Sequence, residues 1–148
     1  MNTTHKPSVI GLGVENLNTS YDFYKNTLGW TTESKVEDGI VFFFFNGIIV
    51  SLYPREKLAE DARIPPEGSG FSGISLAINC ANEAEVDNLF QRIGHSGGKI
   101  IKRPEKVFWG GYSGYFCDPD QHLWEVAHNP FWEFEPNGNI KKPNPSTK

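Results

Sequence analysis

The sequence predicts an α+β fold built from two tandem βαβββ modules. Three observations carry this. A strand pattern with large residues at every second position, Ile10, Leu12 and Val14, recurs in order at Ile74, Leu76 and Ile78. Each strand is followed by a helix signal, and each half then runs into strands joined by tight turns. The repeat rests on pattern rather than close identity.

The elements follow in order. The first strand covers Val9 to Val14, and a helix spans about Thr19 to Leu28. Asn18 or Thr19 caps it, Phe23, Tyr24 and Leu28 form its apolar stripe, and Gly29 suits the stop. Ile40–Phe45 and Ile48–Tyr53 flank Asn46-Gly47, a strong two-residue hairpin signal. That turn pairs Phe44 with Ile49 and Phe42 with Ser51. Residues 54–70 hold three prolines and a charged, helix-compatible patch at Leu58–Ala62, and read as a linker.

The second half opens on a strand at Gly73–Ile78. Asn82 and Glu85 form a capping-box variant for a helix carrying Val86, Leu89, Phe90 and Ile93 and ending near Gly97-Gly98. A short strand, Lys99–Lys102, precedes Pro104. Tyr112–Cys117 and Leu123–His128 then flank Asp118-Pro119-Asp120-Gln121, which suits a type I turn followed by a residue at positive φ. Gln121 in that last place carries strain. The modules are therefore 8–53 and 71–129, with a tail at 130–148 anchored at most by Phe131, Trp132 and Phe134.

Composition excludes several classes. The chain has 148 residues, 38% hydrophobic and 22% charged, enough for a core without staples. A net charge of −4 and no Lys/Arg cluster argue against a nucleic-acid partner. No apolar run approaches a membrane span, and the first residues lack the apolar segment of a secretory signal, so the expected location is cytoplasmic. Cys80 and Cys117 lie far apart and outside any CxxC pattern. Free thiols in a reducing compartment explain them best, a disulfide being the alternative. Aromatics reach 14%, enough to line a small-molecule pocket as well as a core. GxGxxG and GxxxxGK[ST] are both missing, so the glycines form no phosphate-cradling loop.

Two stretches resemble a known family. Val14-Glu15-Asn16-Leu17, Ser20 and Phe23-Tyr24 before Leu28-Gly29 resemble the opening of a vicinal-oxygen-chelate module. Tyr115 through Val126 resembles its closing hairpin, and Trp109–Tyr115 through Pro130 resembles a bacterial glyoxalase-like branch. The superfamily includes glyoxalase I, bleomycin- and fosfomycin-resistance proteins and extradiol dioxygenases. The resemblance covers roughly residues 8–130 and implies mixed sheets curled into a cup, formed within one chain or across a homodimer. It fixes the fold more firmly than the reaction.

Metal-dependent members place ligands on the first and last strands of each module. Those positions fall on Val9, Ser51, Gly73 and Glu125, and only Glu125 has a strong donor. The expectation is therefore no metal and no other cofactor. His122 and His128 sit at odd offsets from Glu125 and face away on a regular strand. His5 falls near an end and His95 near a helix terminus.

Alternation puts Ser113, Tyr115, Cys117, Leu123, Glu125 and Ala127 on one face of the last hairpin. The first hairpin contributes Phe42, Phe44, Ile49, Ser51 and Tyr53. The candidate ligand-binding set is Phe42, Phe44, Ser51, Tyr53, Trp109, Ser113, Tyr115 and Glu125. Glu125 and Tyr115 are the candidate catalytic pair. A carboxylate on an apolar concave face is costly without a partner, which favours a role for Glu125, although a solvated position at a rim stays open. Trp109, beside Gly110-Gly111, is a lid or a surface anchor. Lys102 and Arg103 receive an anionic substrate or face water.

The expected function is binding of a small aromatic or apolar organic molecule in the cup, without a divalent metal. The alternatives are a glyoxalase-like lyase or isomerase using Glu125 and Tyr115, and an interaction module whose aromatic residues fill a closed core.

Overall fold

The computed structural model describes residues 9–68, 70–72 and 74–141. The chain divides into two compact units, residues 1–69 and 70–148, each with its own sheet.

In the first unit, β1 (Val9–Val14) lies parallel to β3 (Ile48–Pro54), and β3 pairs antiparallel with β2 (Val41–Phe45). The hairpin register matches expectation: Phe44 opposes Ile49 and Phe42 opposes Ser51. At the turn only Gly47, and not Asn46, takes positive φ, so it is not the type I′ turn that needs both. One sheet face packs a core of Leu12, Val14, Val41, Phe43, Val50 and Leu52, all nearly or fully buried. Tyr24 and Trp30 complete it: Trp30 lies 4.8 Å from Tyr24 and 5.3 Å from Phe43 by ring centroids.

The helix differs from its predicted form. Asn16, not Asn18 or Thr19, is the cap; its side chain accepts from the Thr19 amide at 3.0 Å. The α-helical part, α1, is short (Leu17–Asp22) and continues as a π-helical turn over Phe23–Thr27 before Gly29 at φ +76°. Asn16 satisfies an orphan amide two to three residues earlier than the expected caps.

The first unit has three strands among its described residues, not four. Residues 31–35, between the helix and the hairpin, form no strand. The Thr32 hydroxyl donates to the Phe42 carbonyl, and the Ser34 hydroxyl accepts from the Phe42 amide. These side chains satisfy the exposed edge of β2, so a further strand is not needed there. The stretch read as a linker holds α2 (Arg55–Ala62), which packs on β1 and β3.

The second unit has the order β4 (Leu76–Asn79), β7 (Leu123–His128), β6 (Tyr112–Cys117), β5 (Lys99–Lys106). β4 runs parallel to β7; the other pairs are antiparallel. α3 (Glu83–Gly94) covers one face, with Val86, Phe90 and Ile93 against Phe116, Trp124 and Val126. Asn82 caps α3, accepting from the Glu85 amide, while Glu85 accepts from the Ala81 amide, one residue before the position a strict capping box uses.

β5 runs longer than predicted, continuing through Pro104 with two register shifts. Pro104 is tolerated because β5 is an edge strand. Gly114 on β6 faces this irregular stretch: a Cβ there would sit 2.6 Å from the Lys102 carbonyl oxygen and 2.8 Å from Phe90 Cζ.

The alignment of the two modules needs correction. β3 pairs Ser51 with Gly11, and β7 pairs Glu125 with Ala77. Gly11 therefore corresponds to Ala77, the same offset that relates the caps Asn16 and Asn82. Ile10, Leu12 and Val14 answer to Leu76, Ile78 and Cys80, two residues later than the apolar pattern suggested. Burial agrees, with Val14 and Cys80 both in the core and Ile74 66% exposed.

Candidate functional site

The face of each sheet away from its core is where the predicted site residues fall. On the first sheet, Phe42, Ser51 and Tyr53 share that face with Phe44. Phe42 and Phe44 have ring centroids 6.3 Å apart. Phe44 is 71% exposed, so this aromatic surface does not fill a closed core. Ser51 is buried, facing Phe42 on one side and Gly11 on the other.

On the second sheet, Tyr115 lies directly across from Glu125, Ser113 from Ala127, and Cys117 from Leu123. Tyr115 and Glu125 are half-buried and Ser113 is buried. Among the described residues, no hydrogen bond or ion pair engages the Tyr115 hydroxyl or the Glu125 carboxylate. The structure thus brings Ser113, Tyr115 and Glu125 together on one surface.

Trp109 is separate from that surface in the chain, on the turn joining β5 to β6. That turn closes through the Val107 amide donating to the Gly111 carbonyl at 2.9 Å. Gly110 takes φ +97° against Phe131, and the Trp109 ring covers Gly111 so closely that a Cβ there would stand 1.9 Å from it. Trp109 is 38% exposed.

A cleft of about 640 Å³ opens at the β6–β7 turn end of the second unit. Cys117 and Leu123 line it together with Phe71, Lys99, Ile101 and Asp118. Cys117 and Leu123 were legible from strand alternation. Phe71, Lys99 and Ile101 were missed; Ile101 sits at a register shift that no alternation rule reproduces. The turn itself forms as expected. The Gln121 amide donates to the Asp118 carbonyl, the Asp118 amide donates to the His122 carbonyl, and Gln121 takes φ +69°. The buried Asp118 carboxylate fixes it, with Oδ1 accepting from the Asp120 and His122 amides and Oδ2 lying 2.6 Å from His122 Nδ1.

Both cysteines are free. Burial, and then the Glu85 carboxylate, push the Cys80 thiol up to about 11. Burial and then Asp118 raise the Cys117 thiol, while the Lys99 ammonium pulls it down. His128 Nδ1 lies 3.1 Å from the Cys80 carbonyl oxygen, a core-edge role. His5 and Gly73 lie outside the described residues.

Residues 6–126 match the family profile of the Glyoxalase/Bleomycin resistance protein/Dioxygenase superfamily. The chain belongs to this superfamily. A glyoxalase-related enzyme from Fulvimarina pelagi is 30% identical, with a TM-score of 0.87, and the match covers 95% of this chain and 100% of that one. The protein ATC0852 from Agrobacterium tumefaciens is 29% identical over 85% of this chain and 98% of its own, with a TM-score of 0.68. A lactoylglutathione lyase from Agrobacterium tumefaciens, 22% identical with a TM-score of 0.66, covers 90% of this chain and 100% of its own, a likeness of fold alone. No curated protein matches the sequence.

The positions where metal-dependent members carry ligands do not fit a transition ion here. Val9 has no side-chain donor, Ser51 offers a neutral hydroxyl, and Glu125 is a single carboxylate. The corrected alignment moves the fourth position from Gly73 to Ser75, another neutral hydroxyl. Among the described residues, no group of three or more His, Cys, Asp or Glu is placed to hold a metal ion. No described helix is long and apolar enough to cross a membrane.

Proposed function

We propose that this protein binds a small aromatic or apolar organic molecule on the open face of its second sheet, without a divalent metal. The observation that supports this reading is the cleft of about 640 Å³ lined by Cys117 and Leu123, the pair at the end of that face. Its size suits a drug-sized ligand, and its lining is mostly apolar. Tyr115 and Glu125 supply polar contacts that orient the ligand. The protein acts as a homodimer, which sedimentation equilibrium checks; a monomer at micromolar concentration contradicts that part.

Isothermal titration against a panel of aromatic metabolites and antibiotics, with chelator and again with added Zn²⁺ or Ni²⁺, tests the reading. It expects at least one binder whose affinity is the same in both conditions. The absence of any binder, or binding only with metal, overturns it.

The register pairing of Tyr115 with Glu125 favours a second reading, a glyoxalase-like lyase or isomerase. Glu125 would take a proton from substrate and the Tyr115 hydroxyl would donate one or hold a developing oxyanion. The similarity to a glyoxalase-related enzyme from Fulvimarina pelagi supports it. Turnover that survives Glu125→Gln would rule out this assignment.

A further inference from the structure

We infer that the cleft at the β6–β7 turn takes a ligand with an apolar body and an anionic head, the head held by Lys99. This rests on the reading that the open face of the second sheet is a ligand site, and it adds the ligand's charge.

The body is set by Phe71, Ile101, Pro119 and Leu123, which line the cleft. Phe71 is 75% exposed and Ile101 50% exposed, so a bound molecule would cover apolar surface that the fold leaves in water. The head is set by the ionisable lining, which is Lys99, Cys117 and Asp118.

Asp118 is committed elsewhere. Its carboxylate is buried and occupied by the His122 ring and by the amides of Asp120 and His122. Cys117 is held in its neutral form by burial and by Asp118. Lys99 makes no ion pair among the described residues, whereas Lys102 and Lys141 of the same unit lie 3.1 Å and 3.7 Å from Glu105 and Glu133. Lys102, a candidate anion receiver from sequence, is thus already paired, and Lys99 is the cation left for a ligand at this cleft. A carboxylate or sulfonate on an aromatic skeleton satisfies both halves.

Two probes isolate the charge. 8-Anilinonaphthalene-1-sulfonate and N-phenyl-1-naphthylamine share one aromatic skeleton and differ only in the sulfonate. Occupancy is read locally, as slowed N-ethylmaleimide modification of Cys117 measured by peptide mass spectrometry; Cys80 is buried and serves as internal reference. Each variant is compared with itself, with and without probe, because Lys99 also influences the thiol.

The sulfonate is expected to protect Cys117 at about three- to tenfold lower concentration than the neutral probe, the range of a partly exposed charge-assisted contact. Lys99→Met should erase that advantage and Lys99→Arg should keep it. Equal protection by both probes, or an advantage that survives Lys99→Met, overturns the anionic head while leaving the cleft as a ligand site. Protection by neither probe at saturation overturns the cleft as well.

Discussion

Tyr115 faces Glu125 across the antiparallel register of β6 and β7, and among the described residues no hydrogen bond or ion pair engages the hydroxyl or the carboxylate. A fold that half-buries a carboxylate without a partner gains no stability from its charge. Glu125→Gln is therefore expected to leave stability unchanged or slightly higher, within about 0.5 kcal/mol. The same change should weaken ligand binding by about tenfold, the scale of one charge-assisted hydrogen bond. Urea unfolding and calorimetric titration separate the two effects. A loss of stability without a loss of affinity would make Glu125 structural.

Gly114 meets the irregular β5 strand more closely than any side chain allows. A Cβ there would stand 2.6 Å from the Lys102 carbonyl oxygen and 2.8 Å from Pro104 N, both backbone atoms. Gly114→Ala should cost about 2–3 kcal/mol through displacement of β5. Chemical denaturation measures it; a cost below about 0.5 kcal/mol would show that β5 yields freely.

Gln121 holds φ +69° at the end of the β6–β7 turn, a conformation that glycine adopts without strain. Gln121→Gly is expected to stabilise the protein by about 0.5–1 kcal/mol, the relief of strain exceeding the added freedom of the unfolded chain. A lower melting temperature for the variant would show that the Gln121 side chain contributes more than its backbone costs.

Much of this was legible in the residues, for physical reasons. The strand pairs Phe42–Ser51 and Tyr115–Glu125 follow from turn length and a side-chain period of two. The left-handed place at Gln121 follows from the three-residue loop that Asp118 opens. The module offset did not, because Ile74 mimics a strand residue by hydropathy while the pairing of Ala77 with Glu125 decides the register. Lys99 and Phe71 escaped because the cleft depends on a register shift in β5 and on a segment outside any strand, neither of which has a period. No strand was legible between the helix and hairpin of the first module, and there the hydroxyls of Thr32 and Ser34 engage Phe42 of β2 instead.

Cys80 carries a pH dependence. Burial, with the Glu85 carboxylate second, raises its thiol from the ordinary 9.0 to about 11. The folded state then keeps a proton that the unfolded chain loses. The stabilising contribution is complete below pH 9 and is lost as pH rises from 9 through about 11. Stability of the wild type should fall faster over that range than that of Cys80→Ala. Parallel slopes would mean that the thiol is not held in its neutral form.

Amide chemical-shift mapping with N-phenyl-1-naphthylamine on the intact chain locates the bound molecule directly. The largest shifts are expected at Lys99, Ile101, Cys117 and Leu123, which line the cleft, with smaller ones at Tyr115 and Glu125 farther along the same face. Shifts confined to Phe108, Trp109 and the aromatic residues 131–134, or no shifts at saturation, would contradict this reading.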